Sequence, residues 1–336
     1  MKIIVFGAGA IGAYVGGALF ATGADVLLIG RARMGERIAR HGLQLTDLRG
    51  RELRVAAGAV PYSQDPAALA QAGLILLTVK SADTAAAADL IAAHAPAAAP
   101  VLSLQNGVGN LDLLRARLPD HVIIGGMVPF NVAQMEGGRL HRGTDGELMV
   151  ETAPALAPWR AAFGAAGLPL IERADFTEVQ WGKLLLNLNN PVNALSDLPL
   201  KTELSQRAYR RCLALLIDEA LAVLGAAGIA PARIGKVGPR LLPSLLRLPD
   251  ALFTWLAASM LKVDPEARSS MWDDLQAGRR TEIDYLNGAV VALARTLGRD
   301  APANRRIVEL VHAAEAGAGR LDGAALYQLL RAPTGG

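Results

Sequence analysis

In this chain of 336 residues, the side chains with the most chemical potential lie in the run Gln180-Trp181-Gly182-Lys183-Leu184-Leu185-Leu186-Asn187-Leu188-Asn189-Asn190-Pro191. At helical spacing Lys183, Asn187 and Asn190 stand at i, i+4 and i+7, so they share one face while leucines occupy the others. That face offers an ammonium and two amides to an oxygen-bearing ligand. Asn187, one turn from the lysine, can fix either the lysine or the ligand. A polar face turned to water is the alternative. Pro191 lacks the N–H that bonds back to the carbonyl of Asn187, so that carbonyl is left free in the last turns. A second polar group follows in Ser269-Ser270-Met271-Trp272-Asp273-Asp274 and Arg279-Arg280-Thr281-Glu282-Ile283-Asp284-Tyr285. There Thr281 can cap a helix containing Glu282, in which case that carboxylate serves the helix dipole.

The elements that must position a ligand begin at residue 2. Lys2-Ile3-Ile4-Val5-Phe6 reads as a strand, followed by Gly7-Ala8-Gly9-Ala10-Ile11-Gly12 and a run of small residues with helical character. In this spacing Gly7 permits the tight turn and Gly9 admits a pyrophosphate. Gly12 lets the helix pack on the strand, and the helix N-terminus supplies N–H groups to the anion. The second strand, 25–29, ends in Gly30-Arg31-Ala32-Arg33. An NAD site usually carries an acid there for the ribose 2′-hydroxyl, whereas a guanidinium matches a 2′-phosphate. The expected cofactor is therefore NADP(H), bound by Arg31 or Arg33. Further strands at 73–79, 100–104 and 121–126 alternate with helices at 83–95 and 111–118, as a parallel sheet requires. Lys80 and Asn106 fall at strand carboxyl ends, where such sheets bind ligands. Gly137-Gly138 and Thr144-Asp145-Gly146 predict hairpin turns in an antiparallel extension.

From about residue 175 strand signals give way to helical periodicity, with helices expected at 205–228, 250–262, 269–277 and 281–297. The length suits two domains, placed at 1–174 for the Rossmann dinucleotide-binding domain and 175–332 for an all-α domain. The composition is 52% hydrophobic but only 4% aromatic, so the cores are built from Ala, Leu and Val. A net charge of +3 with dispersed arginines argues against nucleic acid. Residues 3–24 carry no charged side chain, yet their six glycines and strand-turn-helix rhythm exclude a membrane span or signal peptide. The single Cys212 excludes an intrachain disulfide, and the five histidines lack metal-ligand spacing. A cytoplasmic enzyme without metal is expected. The apolar 241–261 region suggests a helix pair that packs between the subunits of a homodimer.

The chain resembles the ketopantoate reductase (2-dehydropantoate 2-reductase) family essentially end to end. The likeness runs through Gly7-Ala8-Gly9-Ala10-Ile11-Gly12, Thr78-Val79-Lys80, Gln105-Asn106-Gly107-Val108-Gly109, the Lys183/Asn187 helix and Arg279-Arg280-Thr281-Glu282-Ile283-Asp284-Tyr285. It implies a Rossmann domain followed by an all-α domain of 6-phosphogluconate dehydrogenase-like type. It also implies NADPH-dependent reduction of 2-dehydropantoate to (R)-pantoate, a step of pantothenate and coenzyme A biosynthesis. By the same resemblance Lys183 is the proton donor, and Asn187 and Ser270 hold substrate. Asn106 touches cofactor and substrate, Lys80 and Arg31 face the cofactor, and Glu282 closes the site beside both. In some members the second helical asparagine stands eight residues after the lysine. Pro191 occupies that place here, so Asn190 or Asn189 must substitute.

Hydride delivered to a keto carbon turns its oxygen into an alkoxide, which an ammonium stabilises and protonates. Lysine suits this role because desolvation lowers its pKa. Two other readings are a reductase of a different 2-keto acid on the same scaffold and a non-catalytic NADP(H)-binding sensor. Intact Lys183 and Glu282 argue against the sensor.

Overall fold

The computed structural model describes residues 1–256 and 267–332. The chain divides into two compact units, Met1–Phe176 and Thr177–Gly336.

The first unit contains twelve strands: β1 (Ile3–Phe6), β2 (Val26–Ile29), β3 (Leu43–Asp47), β4 (Glu52–Val55), β5 (Tyr62–Ser63), β6 (Leu74–Leu77), β7 (Val101–Ser103), β8 (Ile123–Met127), β9 (Val132–Gln134), β10 (Arg139–Arg142), β11 (Leu148–Glu151) and β12 (Leu170–Arg173). Its helices are α1 (Ala10–Ala21), α2 (Ala32–His41), α3 (Thr84–His94), α4 (Asn110–Arg117) and α5 (Arg160–Ala165). The main sheet runs β12-β11-β8-β7-β6-β1-β2-β5. From β5 to β8 all neighbours are parallel, whereas β11 joins β8 antiparallel. The order of the parallel part is that of a doubly wound dinucleotide-binding sheet, with its switch point between β1 and β6. In register, Ile3 stands beside both Val26 and Leu74. These central strands are buried on both faces, which is why they read as unbroken apolar runs rather than alternating ones.

A second sheet, β4-β3-β10-β9, covers the other side of α1. A Cβ on Gly16 would meet Leu28 Cδ2 of the main sheet at 2.5 Å, and one on Gly17 would meet Leu43 Cδ1 of the second sheet at 2.7 Å. Being enclosed on two sides, α1 has no place for a charge, and this explains the uncharged stretch at 3–24. Gly137 and Gly138, at φ 63° and 77°, make the β9–β10 hairpin that their positions predict. The turn expected at Thr144-Asp145-Gly146 is not a hairpin. It carries the chain from β10 in the second sheet to β11 in the main one, because β10 takes β3 as its other neighbour.

The second unit holds α6 (Phe176–Asn187, entered from the last residue of the first unit), α7 (Asn189–Ser196), α8 (Leu200–Ser205), α9 (Arg207–Ala226), α10 (Leu242–Leu246), α11 (Asp250–Leu256), α12 (Ser270–Gln276), α13 (Asn287–Thr296), α14 (Pro302–Glu315) and α15 (Gly323–Arg331), with no strand among its described residues. The long helix α9 forms its centre, burying Cys212, Leu216, Ile217, Ala220, Val223 and Leu224. Arg210 on the same helix is wholly buried, and donates to the carbonyls of Leu204, Ser205, Leu246 and Leu248, tying α8 and α10 to α9. Two expectations need correction. The helix through Lys183 and Asn190 is interrupted at Leu188, where Pro191 can neither bond to the Asn187 carbonyl nor fit beside it. Pro191 instead sits in the first turn of α7, where a missing N–H costs nothing. The helix expected at 281–297 is a 3₁₀ turn, Ile283–Tyr285, followed by α13. Of the helix expected at 250–262, only the part to Leu256 is described, and 257–266 lie outside the described residues. Within the apolar 241–261 region, Leu241, Leu252, Trp255 and Leu256 are exposed.

Candidate active site

The glycine motif sits at the carboxyl end of β1. Gly7 has φ 108°, and a Cβ there would strike the Val79 backbone nitrogen at 2.5 Å. A Cβ on Gly12 would meet Thr78 Oγ1 at 2.5 Å and the Gly7 carbonyl at 2.6 Å, so α1 can start this close to β6 only without a side chain. Gly9 differs. It caps α1 at φ −83°, and a Cβ there would meet nothing nearer than the Gly7 carbonyl at 3.9 Å. Neither backbone nor packing demands glycine at position 9. Ala10, Ile11 and Gly12 form the first helical turn, whose N–H groups have no acceptor within the helix. Ala8 is buried against the turn, and a Cβ on Gly30 would strike it. Together these residues fit a dinucleotide pyrophosphate.

Arg31 is the N-cap residue of α2, directly beyond β2. Its exposed guanidinium lies 3.3 Å from Asp83, in the turn that follows β6, so it reaches across the switch-point end of the sheet. Arg33 points elsewhere. It lines a groove of about 470 Å³ with Arg37, Arg40, His41 and the β9–β10 hairpin. This groove is lined by none of the residues of the glycine turn.

Lys80 is exposed and caps the 3₁₀ turn after β6, and Asn106 is exposed in the loop after β7. A buried polar lattice ties these loops together. Ser81 Oγ and Asn110 Nδ2 donate to the Asn106 carbonyl at 3.1 and 2.9 Å. Gln105 Nε2 donates to the Val79 carbonyl and to Thr84 Oγ1, while Thr84 donates to Asn110 Oδ1. Sequence reasoning missed Ser81, Thr84 and Asn110. Their only signal is polarity at positions flanking strand ends, where a loop that presents side chains must have its own backbone satisfied.

In the second unit Lys183 and Asn187 lie one turn apart on α6 and both are half-buried. Burial alone pushes the Lys183 ammonium from 10.5 down to about 8. Across the break, every residue of α7 is buried except Asn190. Asn190, Ser270 and Glu282 come together at a tight crevice, with Met271, Asp274 and Leu286 completing its wall. Asn189 is turned away from this pocket, and its amide donates to Glu203. Ser269, not Ser270, caps α12, accepting from the Trp272 N–H and donating to the Asn190 carbonyl, which leaves Ser270 exposed at the pocket. Thr281 does not cap a helix over Glu282. Its N–H donates to Glu315 and its hydroxyl accepts from the Ile283 N–H, so it secures the 3₁₀ turn beside Glu282. Asp274, missed from sequence, is held by Arg279 at 3.0 Å. Among the described residues no group of His, Cys, Asp and Glu side chains is arranged to hold a metal, and no helix is long and apolar enough to cross a membrane.

A doubly wound sheet with a glycine turn at its switch point is the architecture of a dinucleotide-binding domain, and the helical unit adds a lysine whose pKa burial lowers. Residues 3–155 match the family model "Ketopantoate reductase PanE/ApbA" and residues 175–315 match that of its C-terminal part. The chain belongs to the ketopantoate reductase family, a family of oxidoreductases. It is similar to a 2-dehydropantoate 2-reductase of Halobacterium salinarum, with 29% identity over 94% of this chain and 99% of the relative. Among solved structures, a PanE/ApbA family ketopantoate reductase from Ralstonia eutropha JMP134 superposes with a TM-score of 0.78 at 33% identity, covering 94% of this chain and 99% of that one. A ternary structure of D-mandelate dehydrogenase with NADH and anilino(oxo)acetate shares the fold, with a TM-score of 0.73 at 23% identity over 94% of this chain and 99% of that one.

Proposed function

We propose that the chain reduces 2-dehydropantoate to (R)-pantoate with NADPH, a step of pantothenate and coenzyme A biosynthesis. Residues 1–174 are read as the NADP(H)-binding domain and 175–332 as the helical catalytic domain. The observation that carries the reading is the second unit's donor set. It comprises a lysine brought to about 8 by burial with Asn187 one turn away on α6, and Asn190, Ser270 and Glu282 lining a pocket whose wall includes neither Lys183 nor Asn187. The name carried by the Halobacterium salinarum relative supports the choice of substrate.

The cofactor is assigned to Gly7, Ala8, Gly9, Ala10, Ile11 and Gly12 for the pyrophosphate, Arg31 for the 2′-phosphate, and Lys80, Asn106 and Glu282 towards the nicotinamide half. Arg31 is preferred to Arg33 because it stands at the switch-point end of the sheet, whereas Arg33 lines the groove beside the hairpin. When bound, a reduced nicotinamide supplies the hydride. Lys183 donates a hydrogen bond to the keto oxygen and passes it a proton as negative charge grows there. Asn187 orients that ammonium, Asn190 and Ser270 hold the substrate's polar groups, and Glu282 closes the site. Lysine then regains its proton from solvent. The test uses deuteride-labelled NADPH with 2-dehydropantoate and chiral chromatography of the product. (R)-Pantoate carrying one deuterium at C2 is expected, and absence of labelled product refutes the assignment.

A different 2-keto acid on the same machinery is the second reading. It is favoured by Pro191, which stands where some family members place a substrate-facing asparagine.

A further inference from the structure

Hydrogen-bonded to α7 is a buried carboxyl that the proposed chemistry does not use. Glu203, on α8, is fully buried, and burial pushes its carboxyl up to about 8, so it adds no charge to the core near neutral pH. Its Oε2 accepts from two amides, Asn189 Nδ2 and Asn193 Nδ2, each at 3.1 Å. These asparagines are spaced i, i+4 and lie on the same side of α7. Asn193 is saturated in a way only an amide allows. Its nitrogen also donates to the Leu198 carbonyl at 2.9 Å, and its Oδ1 accepts the Ser269 N–H at 2.8 Å. Ser269 in turn caps α12 and donates to the Asn190 carbonyl at 3.2 Å. The Leu200 N–H donates to the Ala267 carbonyl, so the start of α8 is bonded to the same approach to α12.

One chain of hydrogen bonds therefore joins Glu203 to both walls of the pocket. We propose that Glu203 is a positioning residue, which fixes α7 and, through Asn193, the capped start of α12, and thereby sets the placement of Asn190 relative to Ser270. The inference rests on the reading of Asn190 and Ser270 as substrate contacts. Glu203 is buried and does not line the pocket, so its removal is expected to act on substrate affinity and not on NADPH binding.

The test compares wild type, Glu203→Gln and Glu203→Ala in the full chain, measuring KM for 2-dehydropantoate, Kd for NADPH by fluorescence, and melting temperature. Glu203→Ala is expected to raise KM about tenfold or more with NADPH affinity changed less than about twofold, the pattern of lost substrate binding. Glu203→Gln keeps an accepting oxygen and should hold KM within about threefold of wild type. In a double-mutant cycle with Ser269→Ala, the two effects on KM should be less than multiplicative, because both act through the same link. A merely structural role lowers the melting temperature and leaves KM unmoved. If Glu203→Ala does not fold, Asn193→Ala cuts the same path one step later and carries the same expectation. A folded alanine variant with wild-type KM, independent effects in the cycle, or a glutamine variant as poor as the alanine one overturns the proposal. Wild-type turnover is measured first. If wild type reduces no 2-keto acid, the reading of the pocket fails, which is distinct from turnover whose KM ignores Glu203.

Discussion

If Lys183 supplies the proton, its lowered pKa must appear in the pH dependence of keto-acid reduction. Burial brings the ammonium from 10.5 to about 8. With a value near 8, about nine-tenths of the enzyme carries the proton at pH 7 and about one-tenth at pH 9. An unperturbed lysine would still be almost fully protonated at pH 9. The rate of reduction should therefore be level below about pH 7 and fall roughly tenfold per unit above about pH 8. The assay is initial-rate NADPH oxidation from pH 6 to 10 at saturating cofactor, reporting kcat/KM. Lys183→Ala should lower turnover by about 10²- to 10⁴-fold, the usual loss for a general acid. It should also abolish the alkaline limb, because the titrating group is gone. An unchanged limb in Lys183→Ala, or near-normal turnover, refutes the assignment. The same shift has a stability consequence of opposite sense. The protonated lysine is disfavoured in the folded state, so its cost is present below about pH 8 and relieved as pH rises towards 10.5.

Arg31→Ala should weaken NADPH by about 10- to 150-fold, the equivalent of a charge-assisted contact of about 1.5–3 kcal/mol, while NADH binding barely changes; the difference should shrink at high salt. Calorimetric titration with both nucleotides checks this, and an equal loss for the two contradicts it. Gly9→Ala and Gly12→Ala separate ligand approach from packing. The first has room for its Cβ and should keep its melting temperature while NADPH affinity drops about tenfold or more; the second meets the Gly7 carbonyl at 2.6 Å and should lose about 1–3 kcal/mol of stability. Ser270→Ala should raise KM with stability unchanged, whereas Ser269→Ala should also cost about 1 kcal/mol through the lost helix cap. Chemical denaturation alongside steady-state kinetics distinguishes the two serines.

The Rossmann half was legible because its signals are local. Buried parallel strands read as apolar runs, and Gly7 and Gly12 are imposed by contacts to Val79, Thr78 and the Gly7 carbonyl at the ends of β1 and β6. The second sheet was harder to read. Strands β3 and β4 alternate, but β10 pairs with β3 about 95 residues away, and nothing local announces such a pairing. In the helical half, the polar residues at 180–195 were visible as a group, but their face was not continuous. In sequence Pro191 signals only the carbonyl it leaves free, while its steric effect on the preceding turn decides where α6 ends. Ser269 and Ser270 are adjacent and chemically alike. Which one caps and which one faces the pocket depends on the Asn193 side chain, 76 residues earlier. Glu203 gave no sign of burial, since a glutamate within Leu200–Ser205 looks like a surface residue until α7 is folded over it.

The central claim, that this chain is an NADPH-dependent 2-keto-acid reductase directed to 2-dehydropantoate, is tested most directly by one measurement on the wild-type protein. Oxidation of NADPH and of NADH is followed by nicotinamide absorbance with 2-dehydropantoate and a panel of linear, branched and aromatic 2-keto acids. The highest kcat/KM is expected for NADPH with 2-dehydropantoate. No oxidation of either nucleotide with any keto acid would contradict it outright, and a clear preference for an aromatic or linear keto acid would contradict the substrate assigned here.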